Sequence, residues 1–253
     1  MDPMVLGAVA LIGLIAGYIN VIVGSGSSIA IPALIFLGLP PHIAIGTNRF
    51  AMIFNNGTGA IGYHRKGYLN VKAALLFSVF AAVGAAAGAF LAVKTQPALL
   101  VQLIALILVI EALVVLVGKN GLGIEQKIFE LTQNNLIVGA VAGIVIGLYG
   151  GFIGMAITSM FMFIFVAFFS LSFLESAAMS KVVTFVISVV ATVIFLASLK
   201  VDLIAGGVLA TAYVVGAYAG VQSAVRMGNP WMRFLFVIVA LASAGKLLFD
   251  LYK

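Results

Sequence analysis

Residues 5–37 read VLGAVALIGLIAGYINVIVGSGSSIAIPALIFL, an apolar run too long for a simple membrane span. As one helix these roughly 33 residues would extend about 50 Å, whereas about 20 residues cross a bilayer core. The run carries its own interruption. GSGSS at 24–28 favours non-helical backbone, and Pro32 removes a helix donor. The spacing therefore predicts a helix, a break, and a short second helix over 29–37. Irregular backbone at membrane depth survives only where protein or a watery cavity satisfies it, so the break belongs in an interior position.

Further apolar stretches of spanning length follow at 43–62, 71–93, 98–117, 173–198, 203–225 and 231–248. They are apolar on all faces, without the alternation of barrel strands, so the fold class is an all-α polytopic membrane protein. Composition agrees. Of 253 residues, 64% are hydrophobic and only 8% charged, with a mean hydropathy of +1.29. A soluble domain carries about 25% charged residues, so this chain has too little polar surface to cover a water-exposed globule. The opening MDPMVLG lacks a cationic n-region, and the first apolar segment is read as retained. The absence of Cys excludes disulfides and thiol chemistry. The net charge of +6 resides mainly in short connections, as in basic cytoplasmic loops, and no basic run with interleaved aromatics suggests nucleic acid.

The chain also resembles itself. GLIAGYINVIVG (13–24) aligns with GIVIGLYGGFIG (143–154), matching Gly13 to Gly143, Gly17 to Gly147 and Gly24 to Gly154. After a shift of two residues Arg49 falls on Lys181, Asn70 on Asp202, Gly84 on Gly216 and Gly88 on Gly220. Paired cations inside apolar segments do not recur easily by chance. The expected organisation is a first transmembrane repeat (1–118), a polar connecting loop (119–135, with a short amphipathic helix over 124–131) and a second repeat (136–253). Each repeat has about four spans with a broken first segment, the second break lying near YGGFIG (149–154) and continuing over 155–169. With four crossings per half, both termini share the side of Arg65, Lys66, Lys72, Lys119, Lys127 and Lys200. If the broken segment is a hairpin, the repeats become inverted instead. The sequence leaves both open.

Arg49 and Lys181 lead the candidate residues, since a cation at membrane depth costs roughly 2.5–3.5 kcal/mol on the insertion scale and persists for a reason. One reading is a pair facing a shared anion site. The other has each cation snorkelling or bonding carbonyls at a neighbouring broken helix. The breaks come next, at Gly24, Ser25, Gly26, Ser27 and Ser28 and at Gly150, Gly151 and Gly154. A short helix starting after a break offers free N–H groups and the positive end of its dipole to an anion. Thr47, Asn48, Asn55, Asn56 and Thr58 are too polar for lipid exposure, with Ser180, Thr184 and Ser188 as sparser counterparts. Interhelical hydrogen bonds compete for these residues. Gly13-xxx-Gly17 and Gly84-xxx-Gly88 read as close helix packing. Glu111 is either a coupling carboxylate or the partner of a buried cation, and its counterpart is Ser243. Glu175 lies at a helix N-terminus, where the dipole stabilises it. His42 and His64 lie in or beside loops. No HExxH or phosphate-binding Gly-x-x-x-x-Gly-Lys motif occurs, so no catalytic residue, metal site or cofactor is expected.

Residues 16–50, AGYINVIVGSGSSIAIPALIFLGLPPHIAIGTNRF, resemble the first signature of the TauE/SafE sulfite-exporter family. That signature is a Gly-rich break, a P-x-L, a G-L-P-P turn and an A-x-x-T-N-K, whose final cation is here Arg49. YHRKGYLNVKAAL and GLYGGFIGMAITS are also similar to the family, while Ser25, Ser27 and Ser28 stand where it favours Gly. The resemblance implies transport of a small anion, chiefly a sulfur-containing one such as sulfite, a sulfonate or thiosulfate, without an ATPase subunit. The expected function is a secondary carrier in the cell membrane. It would work by alternating access between two pseudo-symmetric halves, with proton coupling an option. The sequence also admits a passive anion channel or a membrane scaffold subunit. Partners are the anionic substrate and the lipid bilayer, and the oligomeric state is open, a dimer included.

Overall fold

The computed structural model describes residues 2–117 and 133–226, and the side chains of these except at 111–117 and 133–135. The amphipathic helix expected over 124–131, the span at 231–248, Ser243 and the Glu111 side chain lie outside the described residues. Nine helices occur among them: α1 (Pro3–Ile22), α2 (Gly26–Phe36), α3 (Pro41–Arg65), α4 (Val71–Lys94), α5 (Pro97–Val117), α6 (Gln133–Phe152), α7 (Ile157–Phe169), α8 (Phe173–Ala197) and α9 (Leu203–Arg226). The chain is an all-α, multi-pass membrane protein.

Local chemistry sets the boundaries. Asp2 accepts from the Met4 N–H at the start of α1, and Pro3 and Pro41 occupy first-turn positions where no N–H is needed. Asn70 accepts from the Ala73 N–H at α4, and Asp202 from those of Ile204 and Ala205 at α9, so two residues matched in the sequence are both N-caps. Ser172 and Glu175 form a reciprocal capping box at α8. The expected breaks shift by a few residues. α2 begins at Gly26 and carries Pro32 in its interior, and the second break falls at 153–156 rather than over 149–154.

Both breaks turn the chain back on itself. At the start of α2, Gly26 packs on Ala16 and Asn20 of α1, and residues 37–40 return beside Asp2 and Val5. On the other hairpin, Gly139 near the start of α6 and Phe169 at the end of α7 both meet the Phe77 ring. The first hairpin opens at the end of the bundle that holds His42 of α3 and Thr95 after α4, where His42 Nε2 lies 2.7 Å from the Thr95 carbonyl. The second opens at the opposite end, where Leu171 and Glu175 lie beside residues 67–72. Each half thus has a hairpin, one of the two arrangements that the sequence leaves open, and the two hairpins point at one another.

Four cores fill the bundle. One joins α6, α7 and α8 to α4 through Phe77, Ala81, Ile146, Phe161, Phe165, Val183 and Ile187. Another joins α1, α2 and α3 to α9 through Val9, Ala16, Ala30, Leu34, Ala51, Leu209 and Tyr213. Two more close the ends, around Tyr63, Ala177 and Val221 at one and Ile45, Ala89 and Phe195 at the other. The chain therefore crosses over: α4 packs with α6–α8, and α9 packs with α1–α3. Glycines make both crossings possible. Gly13 and Gly17 press on α9 at Ala212 and Tyr213, while Gly216 and Gly220 press on the α1 backbone at Leu14 and Tyr18. Gly147 and Gly151 lie on Ala81 and Ala85 of α4, and Gly84 and Gly88 on the carbonyls of Ile144 and Leu148 of α6. Such backbone approach is the usual route to close association where lipid supplies no hydrophobic drive. Gly88→Val is expected to cost about 1–3 kcal/mol of overpacking and to lower the thermal midpoint in detergent. Gly207→Val, on the open face of α9 with no neighbour within 4 Å, is expected to leave the midpoint unchanged.

Candidate functional site

α3 and α8 cross antiparallel in the middle of the bundle. At the crossing Asn56 Nδ2 donates to Ser188 Oγ (3.3 Å), and these residues superpose when Arg49 is set on Lys181. Arg49 and Lys181 each precede that point by seven residues, about 10 Å along the helix on opposite sides. Both are fully buried, at 0% exposure.

Lys181 lies along Gly59, which gives room for its stem. Its Nζ donates to the backbone carbonyl of Asn20 (2.6 Å) in the last turn of α1, and more distantly to Asn56 Oδ1 (3.5 Å). A cation at a helix C-terminus meets the negative end of its dipole and one of its orphan carbonyls. The amides of Asn20 and Asn55 meet at 2.6 Å. Asn55 Nδ2 also donates to the carbonyl of Gly17 (3.1 Å), which ties α3 to α1.

Arg49 reaches the other hairpin. Its guanidinium occupies the space that a side chain on Gly154 would need, just past the end of α6. Gly154 has φ +75 and Ala156, three residues after α6 has begun to unwind, has φ +49. A non-glycine residue in that region costs of order 1–3 kcal/mol and persists where its surroundings hold it. The next residue along α3, Asn48, donates to Ser27 Oγ (3.0 Å) and accepts from the Tyr213 hydroxyl (2.7 Å). The tips of the two hairpins touch. Gly24 (φ +91) lies against Thr158 and Ser159 of α7, and Ser159 Oγ donates to the Val23 carbonyl (2.6 Å).

The carboxylates with described side chains are engaged elsewhere, Asp2, Glu175 and Asp202 each at a helix start. Neither Arg49 nor Lys181 forms an ion pair among the described residues. Two surface depressions of about 350 and 460 Å³ lie at opposite ends of the bundle, and neither is lined by Arg49, Lys181 or a hairpin tip.

The structure thus gathers Gly24, Ser27, Asn48, Arg49, Asn55, Gly154 and Lys181 at the crossing and the tips. Buried Ser25 is the N-cap residue of α2, with Gly26 and Ser28 in its first turn. Other candidates do structural work. Thr47 Oγ1 accepts from the Asp202 N–H (2.9 Å) at the α8–α9 turn. Ser180 bonds back to the Ser176 carbonyl (2.7 Å). Gly150 packs on Ile157 and Ile187, and Gly151 packs on α4. Asn20, Tyr63, Ser159 and Tyr213 were not singled out from the sequence. Asn20 had a signal, as a lone amide four residues before the break. Tyr213 and Ser159 lie far along the chain in ordinary apolar helices, and only packing brings them in.

Paired hairpins meeting within an all-helical, apolar bundle, with two buried cations beside their tips, make this a polytopic membrane protein. The chain belongs to the sulfite exporter TauE/SafE family, whose model matches residues 9–247. It is 26% identical to a probable membrane transporter protein of Escherichia coli K12, YfcA, over 99% of this chain and 92% of that one. It is 24% identical to one of Haemophilus influenzae over 94% and 92%. A probable membrane transporter of Sinorhizobium sp. is 41% identical over a shorter stretch, 31% of this chain and 30% of that protein. No solved structure matches. The protein is a membrane transporter and not an enzyme.

Gly154→Ala adds a methyl group where the Arg49 guanidinium lies, on top of the cost of positive φ. Gly38→Ala incurs the φ cost alone (φ +95) in open space. Thermal unfolding of the two variants should separate them. Gly38→Ala is expected to lose about 1–2 kcal/mol and Gly154→Ala clearly more.

Proposed function

We propose that this protein is a secondary carrier of a small, sulfur-containing anion such as sulfite, a sulfonate or thiosulfate, acting in the cell membrane. One observation carries the reading: two fully buried cations, without a carboxylate partner among the described residues, stand at the meeting point of two re-entrant hairpins. An unpaired buried charge is strongly unfavourable, and an anion that visits the interior relieves it. Family membership supports a sulfur-containing substrate. Closure of both ends by apolar clusters supports an occluded carrier rather than an open pore.

The crossed cores support alternating access. The hairpins of the 1–118 and 136–253 segments open at opposite ends of the bundle and meet at their tips, an inverted arrangement that places binding sites near the midplane. The bodies that rock are not these segments. One is α1, α2, α3 and α9, and the other α4, α6, α7 and α8, each locked by its glycine seam. They slide at the α3–α8 crossing and part at one end cluster or the other.

The chain has no cysteine, so engineered pairs read this directly. Leu14→Cys with Val215→Cys, joined by a short cross-linker, ties α1 to α9 within one body and should leave transport intact. His42→Cys with Thr95→Cys ties α3 to the end of α4 across the two bodies and should block it. Rocking of the sequence halves requires the reverse.

In liposomes the purified protein is expected to accumulate labelled sulfite or a labelled sulfonate, with saturation and trans-stimulation, and Arg49→Ala and Lys181→Ala are each expected to slow it about tenfold or more. Normal transport by both variants would remove the cations from the mechanism, and linear flux without trans-stimulation would make the protein a channel.

A further inference from the structure

The two buried cations are not equivalent, and the difference between them identifies the ligand's shape. The last carbonyls of α1 have no intrahelical partner, and side chains from three other helices take them one by one. Lys181 Nζ donates to Asn20 O (2.6 Å), the Tyr63 hydroxyl to Val21 O (3.1 Å) and the Ser159 hydroxyl to Val23 O (2.6 Å). The ammonium group of Lys181 is thereby committed to protein oxygen.

The second hairpin lacks the matching set. Phe195 stands where the alignment places Tyr63, and Gly150 where it places Asn20. Arg49, the counterpart of Lys181, is fully buried at the Gly154 break, and its Nε and Nη2 have no hydrogen-bond partner among the described residues. Leaving such donors buried and unsatisfied costs about 1–3 kcal/mol each or more. Nε–H and one Nη2–H run parallel along a single edge of the guanidinium plane, the fork that takes two oxygens of one oxoanion. Helix α7 begins at the same break. Its N-cap, Ala156, supplies no side-chain cap, so the first-turn N–H groups add to the same positive field.

Resting on the anion-transport reading above, we propose that Arg49 and the N-terminus of α7 form the substrate site, which takes an oxoanion head through two of its oxygens. Lys181 is a positioning residue that, with Tyr63 and Ser159, holds the end of α1. The site lies at the second hairpin alone. A sulfite or sulfonate head meets the requirement for paired oxygens, and a halide does not.

The test titrates the purified full-length protein with sulfite, methanesulfonate and chloride while following thermal unfolding, and measures sulfite uptake in liposomes. The two oxoanions should raise the wild-type midpoint and chloride should not. Arg49→Lys keeps the charge but loses the fork, and should weaken oxoanion binding and raise the uptake KM by about tenfold or more. Lys181→Gln and Tyr63→Phe should lower the ligand-free midpoint, and Lys181→Gln should slow maximal uptake, with oxoanion affinity kept within about threefold in both. Lys181→Arg should restore the uptake rate. Loss of affinity in Lys181→Gln as deep as in Arg49→Lys overturns the proposal, as does stabilisation by chloride equal to that by sulfite. Tyr63→Phe carries the comparison if Lys181→Gln does not fold, kept affinity supporting the proposal and a parallel loss overturning it. A wild type that responds to no anion would bring down the anion-transport reading itself, an outcome distinct from these.

Discussion

A helix that ends inside a membrane leaves carbonyls that neither lipid nor its own backbone can satisfy, and this bundle is organised around supplying their partners. The end of α1 receives donors from Tyr63 of α3, Ser159 of α7 and Lys181 of α8. Each donor belongs to a helix that must then pass close to that end. The demand for hydrogen bonds at one buried point therefore determines which helices are neighbours at the centre of the protein. Gly24 and Gly59 follow from it. The first lets the chain turn against α7 at positive φ, and the second makes room for the lysine stem.

The same constraint explains the crossed cores. A hairpin that reaches only partway through the bundle has too little surface to anchor itself. Its long arm therefore needs a full-length helix from elsewhere. Glycine seams provide one for each: α9 along α1 and α4 along α6. Backbones that approach this closely leave no free volume for sliding, and in the proposed carrier mechanism these seams hold while the α3–α8 crossing, padded by Asn, Ser and Thr side chains, shifts. Rigidity at the flanks and polar, exchangeable contacts at the centre are what alternating access requires of a scaffold.

Much of this was legible in the chain itself. The over-long segment at 5–37 with its glycine–serine interruption announced a broken helix, and Arg49 and Lys181 stood out because intramembrane cations are expensive. The packing reading of Gly13, Gly17, Gly84 and Gly88 needed only their spacing. Three things were not legible. Periodicity is blind to direction, so a broken span and a hairpin look alike. That α4 and α9 exchange places depends on contacts between residues far apart in sequence. The roles of Thr47 and Ser180 turned on a single bond each, to the Asp202 N–H and the Ser176 carbonyl, and a hydroxyl in an apolar helix carries no mark that tells a cap from a ligand.

The departures from internal similarity are what the proposed substrate site rests on. A perfectly duplicated protein would meet the same need at both hairpins in the same way, with a cation bonded to the end of the facing helix. Here one end is closed by Lys181, Tyr63 and Ser159. At the other, phenylalanine replaces the tyrosine and a guanidinium replaces the ammonium. An ammonium is compact and can be fully used by a carbonyl or two. A guanidinium has five donors in a plane, more than a helix end alone can accept. Replacing one by the other at a single pair of matched sites, with the hydroxyl removed beside it, converts a structural latch into a group with donors to spare. On the proposal that Arg49 binds substrate, the matched sites supply the scaffold and the charge, and the differences at Arg49, Gly150 and Phe195 reserve one of the two places for a ligand.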